Sequence, residues 1–193
     1  DPGVDIIAFR ALHSEDAEYA PIPMDLLVTK TLLQEQQVHA SDRVLFPSLL
    51  VNFLGATRNY PTVRDGSIAL MPDELVPMEY QAGGVTIKTS QELLFLNAIS
   101  VPGASGSPVF LSPGPRTVGN AFVPGGIPYL LGVMHGFYPA QPRQTLEVRP
   151  TDAKYFYQEN SGIALVFPAW RLREILESDR VKARVAALLS TTP

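Results

Sequence analysis

Chemistry in this chain concentrates in Gly103-Ala104-Ser105-Gly106-Ser107-Pro108-Val109-Phe110. A serine between small residues stands at a tight turn that leads into an apolar, β-prone run. Such a turn exposes a hydroxyl and sets backbone N–H groups beside it, which acyl-transfer chemistry requires. Ser105 is therefore the candidate nucleophile. Gly, Ser and Pro also dominate ordinary turns, so the stretch alone fits a plain turn too. The Gly-x-Ser-x-Gly elbow of α/β-hydrolases does not fit, because position 107 is serine. A serine nucleophile needs a base, and the three histidines, His13, His39 and His135, are scattered. That scatter gives no metal-ligand spacing, and no cofactor is expected.

The elements that must hold Ser105 read as short strands. Residues 4–12 form an apolar β-prone run, followed by a polar segment over 13–23. Residues 26–38 fit either a short strand or a helix. Residues 43–54 read as a strand ended by Gly55, and a loop over 56–65 precedes a strand at 66–71. Further strands are expected at 85–88, 93–98, 109–111, 129–134 and 163–167, with a Pro/Gly-rich insertion over 112–128 and a loop over 138–160. From Trp170 the spacing changes: Leu172, Ile175, Leu176, Val181, Val185, Leu188 and Leu189 recur at helical intervals. The helical tail over 179–189 either packs on the barrel or binds a partner. Many short strands closed by a helix predict an all-β barrel or sandwich with a C-terminal α-helix.

Composition narrows the function classes. A hydrophobic fraction of 46% with 18% charged residues is that of a globular protein rather than a disordered one. A net charge of −4 argues against nucleic acid as the main partner, since phosphate binding needs clustered Lys and Arg. No apolar run reaches the roughly 20 residues of a membrane-spanning helix. The absence of cysteine excludes disulfides, thiolate metal sites and a cysteine nucleophile, and leaves the compartment open.

Four segments, in order, resemble the trypsin-like (chymotrypsin-fold) serine peptidases, particularly cysteine-free bacterial members. Val4-Asp5-Ile6-Ile7-Ala8-Phe9 resembles the segment holding the catalytic aspartate. The Ser105 stretch resembles the nucleophile loop. Leu130-Leu131-Gly132-Val133-Met134-His135-Gly136 is similar to the strand that pairs with substrate backbone. Ser161-Gly162-Ile163-Ala164-Leu165-Val166, followed by Trp170-Arg171-Leu172, is similar to the last strand and terminal helix. The resemblance covers residues 5 to about 176. It implies a serine endopeptidase with a chymotrypsin-like double β-barrel. The 193 residues would form one peptidase domain: 1–55 the remainder of an incomplete first barrel, 56–168 mainly the second, and 169–193 a helical segment.

The same resemblance assigns roles. Ser105 attacks the scissile carbonyl, the N–H groups of Gly103 and Ser105 form the oxyanion hole, and Asp5 orients a histidine. Asp5 and Ser105 lie 100 positions apart, near the family's aspartate-to-serine separation of about 90. Ile99, His135, Gly136 and Gly162 would contact substrate, and an apolar Ile99 at the pocket base would disfavour Lys or Arg. Ala104 stands where many members carry an acid, so activation through that acid is not expected.

The family's histidine precedes its aspartate by roughly 45 residues, and only four residues precede Asp5. Three explanations stay open: the histidine lies on a preceding segment or separate fragment; the protein is a degenerate relative that binds without cleaving; or another histidine serves. His135 could reach Ser105, but it also suits a lining role. His39 lies in a polar stretch and is expected exposed, and His13 is expected in a surface loop. Two functions therefore compete: a serine endopeptidase acting on a polypeptide substrate, and an inactive chymotrypsin-fold module that binds protein.

Overall fold

Alternation of side-chain direction, with every second residue buried, marks the strands that carry the Ser105 turn. In β1 (Arg43–Leu49), Val44, Phe46 and Ser48 point inward and are buried, while the residues between them face out. The computed structural model describes residue 6 and residues 20–50, 56–57, 60–82, 85–112, 114–139, 144–147, 154–157 and 160–190. The expected Asp5 and His13 positions and the strand end at Gly55 lie outside the described residues. So does the run over 4–12, apart from Ile6.

β1 is followed by β2 (Pro61–Leu70), β3 (Val76–Ala82), β4 (Val85–Gln91), β5 (Leu94–Asn97) and β6 (Pro108–Leu111). Then come β7 (Arg116–Val118), β8 (Ala121–Val123), β9 (Leu130–Pro139), β10 (Gln144–Glu147), β11 (Lys154–Tyr157) and β12 (Asn160–Pro168). Six of these close an antiparallel barrel in the order β1-β2-β5-β12-β9-β6. The run β6-β1-β2-β5 has the spatial order of a Greek key, the fourth strand returning beside the first. β3–β4, β7–β8 and β10–β11 are two-stranded hairpins outside the barrel.

The protein is thus mostly β, with one closed barrel among the described residues. β1 falls within the 1–55 span set apart as a first barrel, yet it is hydrogen-bonded to both β2 and β6. Its buried face, Val44 and Phe46, belongs to the same core as Val109 and Leu111 of β6. Several local expectations are corrected. The loop expected over 56–65 ends at Pro61, where β2 begins. β3 was not anticipated, and the stretches expected as an insertion and a loop contain β7–β8 and β10–β11. In each case pairing with a neighbouring strand overrides turn-forming composition.

The ambiguous stretch over 26–38 contains a helix, α1 (Lys30–Glu35), started by Thr29, whose Oγ1 accepts the Leu32 N–H at 3.0 Å. The terminal segment expected as one helix is two, α2 (Ala169–Leu176) and α3 (Asp179–Leu189). The helix breaks at Ser178, whose backbone is extended at ψ 146°. α2 buries Ala169 and Trp170 against the barrel core. Among the described residues no helix is long and apolar enough to cross a membrane.

The barrel has apolar matter on both sides of one wall. Inside lie Phe46, Ile68, Leu96, Val109, Met134 and Val166, all nearly or fully buried, each such side chain contributing about 1.5–3 kcal/mol. Outside, Leu93, Leu165, Phe167 and Val76 form a second buried cluster, joined by Ile6, Met78 and Phe95. The unbroken run Ala164-Leu165-Val166-Phe167 in β12 is therefore buried on both faces, as a doubly covered strand requires.

Candidate functional site

Ser105 stands on the connection between β5 and β6, in two successive tight turns. The Ala104 N–H donates to the Val101 carbonyl at 2.9 Å, and the Ser107 N–H to the Ala104 carbonyl at 3.0 Å. Gly103 and Gly106 have φ of +94° and +84°, a region that side chains with a Cβ rarely enter, which explains glycine on either side of the serine. The loop is anchored at both ends. The Ala104 side chain is fully buried in the barrel core, where a carboxylate would be an unpaired buried charge. Ser107 exchanges with β9, its carbonyl accepting the Met134 N–H at 2.9 Å while the Gly106 N–H donates to the Met134 carbonyl at 2.8 Å.

Ser105 itself is exposed, and its hydroxyl donates to the main-chain carbonyl of His135 at 3.1 Å. The N–H groups of Ala104, Gly106 and Ser107 are engaged. Those of Gly103 and Ser105 make no hydrogen bond among the described residues. A hydroxyl held by one bond, with two unused donors in the same turn, is the raw material of an acyl-transfer site.

The structure brings His135 to Ser105 through its backbone rather than its ring. In the ladder between β9 and β12, Leu165 faces Gly136 and Val166 faces Met134, so the register shifts at His135. Such a β-bulge re-aims the groups around it. The His135 ring turns to the outer face of the barrel, where it meets Phe167 edge-on at 5.0 Å and 73°. Beyond Met134, β9 has β12 on one side, whereas on the other β6 pairs only as far as Pro108 and Val133. The Ser105 turn thus sits beside a strand edge.

The other expected substrate contacts lie close in the ladder. Ile99 is 62% exposed just after β5. Its neighbour Ala98 donates its N–H to the Gly162 carbonyl at 3.0 Å. A Cβ added to Gly136 or to Gly162 would meet nothing within 4 Å, so both positions open on free space. Gly162 has φ +80° and donates its N–H to Asn160 Oδ1 at 2.9 Å. The same Asn160 side chain donates to the Ser100 carbonyl at 2.6 Å. Asn160 therefore staples the start of β12 to the segment leading into Ser105. Sequence reasoning missed it, as it missed the bulge and Phe167, because strand alternation carries no mark of such cross-chain bonds.

His39 is exposed, as expected, and its N–H donates to the Asp42 carboxylate at 3.0 Å. A shallow cleft of about 600 Å³ runs along the β3–β4 hairpin, lined by Met78, Glu79 and Lys88 among others, and not by the Ser105 turn. Among the described residues no three His, Asp or Glu side chains group as a metal site.

The described carboxyl group with a clear shift is Glu92, in the turn between β4 and β5. Burial pushes its carboxyl up, but the bond from Lys30, the nearby Trp170 indole N–H and the charges of Arg171 and Lys30 together hold it below the usual value of 4.5. Lys30 Nζ lies 2.6 Å from Oε1 and Arg171 Nε 2.7 Å from Oε2. The Arg171 contact is a close ion pair without the alignment of a hydrogen bond, and the buried Trp170 indole N–H adds only its dipole. Arg171 is correspondingly pushed up, first by its bond to Glu174.

Comparisons with protein-family models, with curated proteins and with solved structures found no match.

Proposed function

We propose that this chain carries the acylating part of a serine endopeptidase of the trypsin-like type, with Ser105 as nucleophile. One observation carries the reading. Among the described residues, the exposed Ser105 hydroxyl shares its turn with two unengaged N–H groups, Gly103 and Ser105, beside the stretch of β9 past Met134 that β6 does not reach. A polypeptide strand laid along that stretch would take main-chain hydrogen bonds from β9. Its carbonyl would then stand before Ser105, and the two donors would receive the developing oxyanion.

In this reading the barrel is the second of two, and Asp5 orients the histidine that takes the Ser105 proton. Exposed Ile99 and the open positions Gly136 and Gly162 favour apolar over basic substrate side chains, since a cation there would lack a partner.

The test is labelling of the full-length protein with a fluorophosphonate, followed by mass mapping. The expected result is one adduct on Ser105, absent in Ser105→Ala. No adduct on the folded protein would sink the reading.

A second reading, a polypeptide-binding module without catalysis, is favoured by the hydroxyl's bond to a main-chain carbonyl instead of an imidazole. It predicts peptide binding that survives Ser105→Ala, together with no adduct.

A further inference from the structure

The ladder between β5 and β12 ends where Asn97 faces Ile163. The two chains do not part at once, since the Ala98 N–H donates to the Gly162 carbonyl at 3.0 Å. Carried three positions beyond Asn97 and Ile163, the same register sets Ser100 opposite Asn160. There a side chain stands where main chain would meet main chain. The Asn160 amide Nδ2 donates to the Ser100 carbonyl at 2.6 Å, and its Oδ1 accepts the Gly162 N–H at 2.9 Å. Asn160 is thus a spacer that holds the two chains one side chain apart and ties them at that width. Ser100 is buried, so the bond is made to a packed wall. Beside the spacer there is room for a guest: a Cβ added to Gly162 would meet nothing within 4 Å, and Ile99 is exposed.

We propose that Asn160 is a positioning residue that sets which substrate side chain is accepted beside Ser105. The proposal rests on Ser105 being the nucleophile. It adds that selectivity comes from the width held between Ser100 and Gly162 as well as from the apolar lining. Only a side chain with a donor and an acceptor on one short stem makes both bonds. Aspartate keeps the acceptor for the Gly162 N–H but sets a second acceptor against the Ser100 carbonyl. Serine also accepts from the N–H two residues on, but its hydroxyl lacks the reach to Ser100. The Ser105 turn does not depend on the spacer, because Ala104 is tied to Val101 and both Gly106 and Ser107 to Met134. Loss of the Asn160 amide therefore changes selectivity and leaves the reactivity of the serine itself in place.

The experiment measures second-order rates of labelling at Ser105 in the full-length protein with three reagents. Two are peptidyl phosphonates that differ only in the side chain next to phosphorus, alanine-like in one and phenylalanine-like in the other. The third, diisopropyl fluorophosphate, carries no such side chain and reads the serine alone. Variants are Asn160→Asp, Asn160→Ser and Ser161→Ala, with thermal midpoints measured in parallel. The parent is expected to separate the two peptidyl reagents. Asn160→Asp and Asn160→Ser are expected to narrow that ratio by about three- to tenfold, the factor that the net contribution of one hydrogen bond carries. Both are expected to react with diisopropyl fluorophosphate at the parent rate. Ser161→Ala removes the neighbouring hydroxyl, which donates to the Tyr138 carbonyl and accepts the Ile163 N–H. It loosens the same turn without touching the tie to Ser100 and keeps the parent ratio. If Asn160→Asp does not fold, Asn160→Ser carries the test, since it retains an acceptor for the Gly162 N–H.

An unchanged ratio in folded Asn160 variants overturns the proposal, as does a parent that labels equally with both peptidyl reagents. Equal narrowing by Ser161→Ala also overturns it, because firmness of the turn alone would then explain the effect. So does an equal fall with all three reagents, which would make Asn160 a support of the whole Ser105 loop. A parent protein unlabelled by any reagent overturns the nucleophile reading itself, and this inference with it. A labelled parent with indifferent Asn160 variants overturns only the inference.

Discussion

At the turn between β4 and β5, Glu92 is 15% exposed and lies between two cations, Lys30 at 2.6 Å and Arg171 at 2.7 Å. Lys30 also stands 5.6 Å from the centre of the Trp170 ring. At the connection between β5 and β6, Ser105 is exposed, with a single hydrogen bond to a main-chain carbonyl. The first turn ties three elements together: α1, the β4–β5 turn and α2. A partly buried charge with its partners in place stabilises the fold, and removing one partner strands the others. The second turn holds a polar group that the fold hardly uses. Exposed hydroxyls contribute little to stability, while two left-handed glycines are needed to present this one. The contrast teaches that packing accounts for Glu92 and does not account for Ser105.

Four substitutions break or sharpen that contrast, ordered by expected loss of stability. Gly132→Ala should cost most, about 3 kcal/mol or more, because its Cβ would sit 2.0 Å from the Phe167 carbonyl oxygen. Chemical denaturation should show a lower midpoint or no folded protein. It would damage the frame on which both turns hang.

Glu92→Gln should cost about 2 kcal/mol, less than a fully buried pair, because Lys30 is largely exposed. Glu92 has a carboxyl held below its usual 4.5, so its contribution is fully present above that value. It is lost as the pH falls through the lowered native value. The parent protein should therefore lose stability on acidification below about 4.5, and Glu92→Gln should lose less over the same range. Parallel acid limbs in the two proteins would refute the role given to Glu92.

Gly106→Ala should cost about 1–2 kcal/mol from its φ of +84° alone, since a Cβ there meets no neighbour within 4 Å. Ser105→Ala should change the unfolding free energy by less than about 0.5 kcal/mol and yet remove all fluorophosphonate labelling. A Ser105→Ala variant as destabilised as Glu92→Gln would erase the distinction between the two turns.

Much of the frame was legible in the residues. The short apolar runs Val44-Leu45-Phe46 and Leu130 to Met134 marked strands, since such runs bounded by turn residues suit a buried strand. The spacing from Trp170 onward marked a helical tail, although the break at Ser178 was not foreseen, and residues 26–38 fitted strand or helix until the Thr29 cap decided it. The Ser105 turn was legible because left-handed backbone selects glycine locally. β3 was missed, because a Pro- and Glu-bearing stretch becomes a strand only by pairing with β4. The Asp5 part of the expected site lies outside the described residues, and the Ser105, Ile99, His135, Gly136 and Gly162 parts lie along β5, β9, β12 and the turns that join them.

The sequence by itself determined the strands around Val44 to Phe46 and Leu130 to Met134, the helical character of the tail, and the glycine-flanked turn that leaves Ser105 in the open. These properties follow from a residue and its immediate neighbours. Tertiary structure alone decided that β6 returns beside β1, that β12 is covered on both faces, and that Ser105 gives its hydroxyl to a residue 30 positions away. It likewise decided that Asn160 holds the Ser100 carbonyl across 60 positions. The physical reason is that a barrel closes through hydrogen bonds and apolar contacts between distant strands, and no local preference encodes which distant partner a strand will meet.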